Sequence, residues 1–387
     1  MREELKQYDA VIAGYICVDL VPDLTGSGAS TNVSDFFKPG KLIEIGGLSY
    51  TLGGVVANTG IAMKKFNREV YLNGLIGEDF IGGIARESLN KNNLAGGIST
   101  TTEAGTAFGL VIAPPGIDRI FLESPGCSRI FGMEHIHFDK VARSRIFHFG
   151  YPPLLRNFYL DNGERLCKLF ASVQRMNVVT SLDFSLPDPE SESGKVDWPA
   201  IMRRLLPFVD IFVPSVEEVL QIMAPDRYAE IKSVSDGMDM IDLVPPAVIR
   251  EIGKAIIGQG VKILLIKAGH RGAYLMTGDI SSINRKKGFA LSPEQWNDRN
   301  CWHPACEVDL ARVKHASGSG DAAAAAFLCA ILDNESPERA LQYAIIAGRN
   351  NLYCHDMYDD LGDWAEMTEE IKDAVNIIVK EQKQIYE

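Results

Sequence analysis

Short apolar runs recur along the chain at residues 11–18, 70–75, 146–149, 178–182, 211–213 and 263–266, each brief and rich in β-branched side chains. Several are apolar at both alternate sets of positions, the pattern of strands covered on both faces. Helical patterns separate them. The alternation predicts an α/β fold: a doubly wound, mostly parallel sheet with helices on both faces.

Two segments break this rhythm. Residues 42–52 and 106–122 mix Thr, Ile, Phe, Val and Gly without a helical repeat, and read as antiparallel strands of a small β lid on one side of the sheet, within about 40–52 and 102–125. A pair of surface hairpins without function is the plainer reading of the same pattern. Residues 188–195 are polar, with Pro and Gly, and predict a surface loop. Trp364, Met367, Ile371, Ala374 and Ile378 recur at three- and four-residue spacing, predicting an amphipathic helix packed on the body of the protein. The chain has no internal repeat.

Composition narrows the classes. Of 387 residues, 46% are hydrophobic and 23% charged, which suits a globular protein and excludes disordered and collagen-like ones. The net charge of -12 repels phosphate backbones and anionic lipid, so neither nucleic acid nor membrane is an expected partner. The longest apolar stretch, 322–332, falls short of the roughly 18 residues of a membrane span, and the N-terminus lacks the usual form of a signal peptide. The expected location is the cytoplasm. Seven scattered cysteines do not form a disulfide framework; Cys301, His303 and Cys306 cluster, but zinc would need a fourth ligand that the neighbourhood does not supply.

The sharpest chemical feature is Ala316-Ser317-Gly318-Ser319-Gly320-Asp321, followed by an alanine run that favours helix. Small residues at a helix start let backbone N–H groups converge on an anion, and an Asp beside that anion could take a proton from a hydroxyl. Read alone, Asp321 could equally be an N-cap and the glycines a turn. Gly318, Gly320 and Ala323 also imitate a dinucleotide fingerprint, but far from a first strand, and Gly194-Lys195 lacks the rest of a Walker A loop. Upstream, Gly53 and Gly54 precede a helix with Asn58 just inside it; Gly74, Gly77, Asp79 and Gly82 follow the next strand; and Asp19 ends the first. Asp19 and Asn58 together could hydrogen-bond vicinal hydroxyls of a polyol.

Taken together, these residues resemble the PfkB (ribokinase-like) family of carbohydrate kinases. Its G-G-x-x-x-N and G-x-x-G-x-D-x-x-G signatures match at Gly53, Gly54, Asn58 and at Gly74, Gly77, Asp79, Gly82; its T-T-G-A-G-D signature matches at 316–321 with Gly318, Gly320 and Asp321 intact. The order fits over almost the whole chain, which implies one ribokinase-like kinase domain over residues 1–387. The resemblance implies an ATP- and Mg²⁺-dependent phosphotransferase acting on a sugar hydroxyl, with Asp321 as base and Gly318, Ser319 and Gly320 as anion hole. It assigns Asp19, Gly53, Gly54 and Asn58 to the sugar. Asp183, Lys267, Gly269, Gly272 and Ser317 would face ATP, and Glu218 would hold the magnesium shell through water. Lid strands that pair between chains imply a homodimer.

The chain also departs from that pattern. Ser215 stands where the family commonly has Asn, and Ala316-Ser317 replaces Thr-Thr. His315 takes the place of an Asp that helps to hold a monovalent cation, so K⁺ dependence is not carried over. Residues 344–351 do not reproduce a usual adenine-side Asn. The acceptor remains open between sugars and nucleosides, phosphorylated or not, with Arg119 or Arg129 as candidates for a phosphate. A non-catalytic sugar- or nucleotide-binding protein on the same fold is one rival; a nicotinamide-dependent dehydrogenase is another, but it would need a G-x-G after the first strand.

Overall fold

A computed structural model describes residues 6–24, 39–112, 120–235, 237–355 and 357–372. In chain order the strands are β1 (Tyr8–Gly14), β2 (Cys17–Pro22), β3 (Leu48–Gly53), β4 (Val70–Gly77), β5 (Ile98–Thr101), β6 (Phe108–Ile112) and β7 (Ile120–Ser124). They continue as β8 (Ser144–Gly150), β9 (Val179–Asp183), β10 (Ile211–Phe212), β11 (Ile263–Lys267), β12 (Ala273–Thr277) and β13 (Asn300–His303). Nine form one sheet in the order β13-β12-β11-β10-β9-β8-β1-β4-β5, and four form a second, β3-β2-β6-β7. From β11 to β5 every neighbouring pair in the large sheet is parallel; β12 and β13 are antiparallel additions at one edge.

Helices cover both faces of the large sheet. On one side pack α1 (Gly54–Lys65), α6 (Ser319–Leu332) and α7 (Pro337–Asn351); on the other lie α3 (Arg156–Arg175), α4 (Val216–Met223) and α5 (Pro246–Gly258), while α2 (Phe80–Lys91) follows β4. Strand β1 shows why its sequence is apolar throughout: Ala10 and Ile12 enter the first core, Val11 and Ala13 the second. The alanine-rich α6 is buried along nearly its whole length, and its small side chains let α1 and α7 approach closely.

Three expectations need correction. The apolar run 11–18 is not one strand. It breaks at Gly14–Ile16, so that β1 belongs to the large sheet and β2 to the small one, and Asp19 lies within β2 rather than at the end of the first strand. Tyr15 and Ile16 are buried at the junction, and the crossing between sheets therefore leaves no polar mark in the sequence. In the small sheet, β2–β3 and β6–β7 are antiparallel as expected, but β2 and β6 run parallel because β2 supplies a strand that the pattern had assigned elsewhere. Of residues 42–52 only Leu48 onward is strand, and part of the second segment, 113–119 with Arg119, lies outside the described residues.

The C-terminal segment packs on its own body as expected: Trp364 stacks on Tyr343 with centroids 4.0 Å apart, and Met367 and Ile371 are buried. Ala374 and Ile378 lie outside the described residues. Residues 188–195 are irregular apart from one turn at Ser193–Lys195. Among the described residues no helix is long and apolar enough to cross a membrane.

A buried ion pair fastens the end of the sheet remote from the strand C-termini. Asp210 accepts from the Thr180 N–H and hydroxyl (2.9 and 3.0 Å), and Lys286 reaches both Asp210 and the Val178 carbonyl. Removing one partner strands the other's charge in the core. Lys286→Met is therefore expected to lower the unfolding free energy by roughly 3–5 kcal/mol, read as a lower urea midpoint.

Candidate active site

The C-terminal ends of β8, β9 and β11 open onto one rim of the large sheet, the place where parallel α/β sheets present ligand groups. Asp183 ends β9 and Lys267 ends β11, and the Lys267 ammonium bridges both Asp183 oxygens at 2.9 and 3.1 Å. Burial pushes the Asp183 carboxyl up to about 7 against the pull of Lys267, with Glu218 and Asp321 adding to the rise. Burial works against the Lys267 ammonium too, but Asp183, Glu218 and Asp321 hold its pKa above the usual lysine range. Three carboxylates thus surround one ammonium, which leaves the rim short of positive charge.

Helix α6 begins across this rim. Gly318, in the left-handed region at φ 78°, turns the chain into the helix. The Ser319 N–H donates to the Ala316 carbonyl at 3.2 Å, so of the predicted anion hole that amide is already engaged. The Gly320 and Asp321 N–H groups find no acceptor among the described residues. They sit in the first turn, where the helix dipole favours an anion, and a Cβ on Gly320 would stand 3.5 Å from the Lys267 nitrogen.

Asp321, almost fully buried, is held by three side-chain donors. Asn58 Nδ2 donates to its Oδ2 at 2.9 Å; the Tyr151 hydroxyl at 2.8 Å and the Thr59 hydroxyl at 3.3 Å donate to its Oδ1. Asn58 and Thr59 are brought there by the first turns of α1, which follows β3 without a loop. At that joint Gly54 adopts φ +82°, and a Cβ would come within 2.6 Å of the Tyr15 carbonyl. Asp321 is not the N-cap, a position that Gly318 holds; it is the third residue of α6, and its carboxylate meets α1 and the residue just beyond β8.

Two cavities lie to either side of the Asn58–Asp321 hydrogen bond, Asp321 lining one and Asn58 the other. The larger, about 690 Å³, is lined by Lys267, Glu218, Gly269, Gly272, Gly318–Asp321 and Tyr151, with Ile345 and Leu352 among its apolar walls. The smaller, about 510 Å³, is lined by Asp19, Thr51, Asn58, His315 and Ser317. Ser317, expected beside the nucleotide, faces this second cavity instead, since Asn351 Nδ2 holds its carbonyl at 2.8 Å and fixes that peptide. Asp183 lines neither cavity and reaches them only through Lys267. One Glu218 oxygen accepts the Ser215 N–H at 2.7 Å in a reciprocal cap of α4, while the residue still borders the larger cavity.

Asp19 occupies the floor of the small sheet, with Gly53 and Gly109 on either side; a Cβ on either would come within 2.8 Å of its oxygens. Asp79, by contrast, is structural: it caps α2 through Gly82 (2.7 Å) and holds the Thr106 N–H at 2.8 Å. Cys301 and His303 belong to β13, and among the described residues no group of three His, Cys, Asp or Glu side chains could hold a metal ion by itself. Sequence reasoning missed Tyr151 and Thr59. Thr59 follows Asn58 and was within reach of the motif; Tyr151 carried no signal, because only the parallel pairing of β8 with β9 brings it beside α6.

Three comparisons with known proteins bear on this geometry. The sequence model of the "pfkB family carbohydrate kinase" matches residues 10–359. "Fructokinase-2" of Oryza sativa subsp. japonica is 27% identical over 140 residues, which cover 35% of the chain and only 38% of the rice protein. "Probable fructokinase-4" of Arabidopsis thaliana is 23% identical over 330 residues, 84% of the chain and 82% of that protein. The structure of Arabidopsis thaliana ribokinase complexed with ribose and ATP superposes with a TM-score of 0.66 at 17% identity, covering 94% of this chain and 98% of that one, a likeness that shows the shared fold.

Burial, with the charge of Glu123 added, pushes the Asp19 carboxyl up to about 6. Its folded-state pKa exceeds that of the unfolded chain, so ionisation penalises the folded state: stability is lost as pH rises from about 4 to about 6 and is not regained above. Asp19→Asn removes that penalty. It should raise the unfolding free energy by roughly 1–2 kcal/mol at pH 7.5 and leave it near wild type at pH 4, measured by urea denaturation at both.

Proposed function

The chain belongs to the pfkB family of carbohydrate kinases, and from that premise we propose that it transfers the γ-phosphoryl group of ATP to a hydroxyl of a sugar. The observation that carries this reading is the position of Asp321: it lines the larger cavity beside open helix amides and is hydrogen-bonded to Asn58, which lines the smaller one. ATP takes the larger cavity, with its terminal phosphate toward Lys267 and the Gly320 and Asp321 N–H groups. The sugar takes the smaller one, against Asp19 and Asn58. Fructokinases, and a ribokinase solved with ribose and ATP, are among the similar proteins and support a sugar and ATP as the two ligands.

In that arrangement Asp321 accepts the proton of the acceptor hydroxyl as its oxygen attacks the γ-phosphorus and ADP departs. Phosphoryl transfer needs mainly alignment and neutralisation of spreading charge. Lys267 and the two amides answer part of the second need, and a donor so placed is typically worth about 2.7–4 kcal/mol in the transition state. The surplus of carboxylates over ammonium at the rim fits Mg²⁺, which Glu218 would hold through water; bound with the phosphates, the ion supplies counter-charge. Such an ion needs no all-protein cage.

The small sheet serves as a lid on the acceptor cavity within one kinase domain, excluding water that would otherwise hydrolyse ATP. It also carries exposed Leu48, Tyr50 and Leu122 (60%, 44% and 54%), an apolar surface that suits a second copy. A homodimer joined through these strands is expected by analytical ultracentrifugation at micromolar concentration, with Leu48→Glu shifting it to monomer; a monomeric wild type refutes the pairing.

The central test is Asp321→Asn. Loss of a general base costs about 10²- to 10⁴-fold in rate. In a coupled assay over fructose, ribose, other hexoses, sugar phosphates and nucleosides, turnover should collapse by that factor while calorimetric ATP binding persists. Wild-type turnover in the variant would remove Asp321 from the base role.

A further inference from the structure

Tyr151 lines the larger cavity, donates to Asp321 and is assigned a role by no signature, and its backbone is strained. It adopts the left-handed region at φ 65° immediately before Pro152, a combination unfavourable for a bulky residue on both counts. Strain of this kind persists only where surrounding contacts impose it. The contacts are specific. Its ring lies against Tyr15, centroids 6.4 Å apart, in the link between the sheets; Tyr15 in turn donates to Glu123 of β7 at 3.0 Å. Its hydroxyl makes the shorter of the two bonds to Asp321 Oδ1, 2.8 Å against 3.3 Å from Thr59.

The two oxygens of Asp321 are held differently. Oδ2 is bonded to Asn58, which borders the acceptor cavity and can turn to a ligand there; Oδ1 is bonded to Tyr151, fixed by its ring and by the two prolines that follow. We infer that Tyr151 is the positioning residue that locks Oδ1 and so reserves Oδ2 for the acceptor hydroxyl. This rests on the kinase reading for its consequence, but the bond itself can be tested without a substrate.

Two measurements decide it. In a urea-denaturation cycle of Tyr151→Phe, Asp321→Ala and the double variant, the losses should be non-additive, because the hydroxyl has nothing to hold once the carboxylate is gone. Additive losses overturn the assignment whatever the substrate. With an acceptor in hand, Tyr151→Phe should lower kcat roughly 10-fold or more and leave the KM for ATP within about twofold, as expected for a lost bond to a charged group that acts on the chemical step. An unchanged kcat in the variant would reduce Tyr151 to packing. A wild type inert toward every acceptor tested would instead strike at the kinase reading, and the denaturation cycle would still report on the bond.

Discussion

A carboxylate in the first turn of a nearly buried helix can be kept only if donors meet it, and the way Asp321 is met organises the rest of the molecule. Asn58 and Thr59 come from α1, and Tyr151 from just beyond the end of β8. None of these is near another in sequence apart from the first pair. The large sheet supplies their common reference: its parallel order brings β8, β9 and β11 to one rim, and the alanine-rich face of α6 lets α1 lie close enough for Asn58 to reach across. The site is a property of that packing, since no single loop contains it.

Charge follows the same logic. Lys267 is shared among Asp183, Glu218 and Asp321, so the rim carries more negative than positive charge even before an anionic ligand arrives. Alone, such a site would repel a triphosphate. In the proposed kinase, open helix amides and a hydrated cation would let it hold phosphate without neutralising it outright, which suits a group that must leave again.

The sequence made the large sheet legible because strands buried on two faces cannot hide: each reads as a dense apolar run, as in β1 and β11. The same density concealed the break at Gly14–Ile16, where the chain changes sheets without exposing a polar residue. The glycine signatures located Gly53, Asn58 and Gly318–Asp321, since turn and cap chemistry is local. They said nothing of Tyr151, whose meeting with Asp321 spans 170 positions, nor that Ser317 borders the smaller cavity, because the orientation of a peptide depends on a distant partner, here Asn351. Spacing announces local geometry; long-range pairing has to be seen.

The joint between β3 and α1 has a mechanical consequence. The last residue of the strand and the first of the helix are consecutive, and the helix delivers Asn58 to Asp321 barely one turn later. Any tilt of the small sheet about this point is transmitted along a rigid arm to the carboxamide that touches the acid, with no slack to absorb it. Strands β6 and β7 lie outboard of that arm in the order β3-β2-β6-β7, so side chains there can change without disturbing it, while the arm itself tolerates little change.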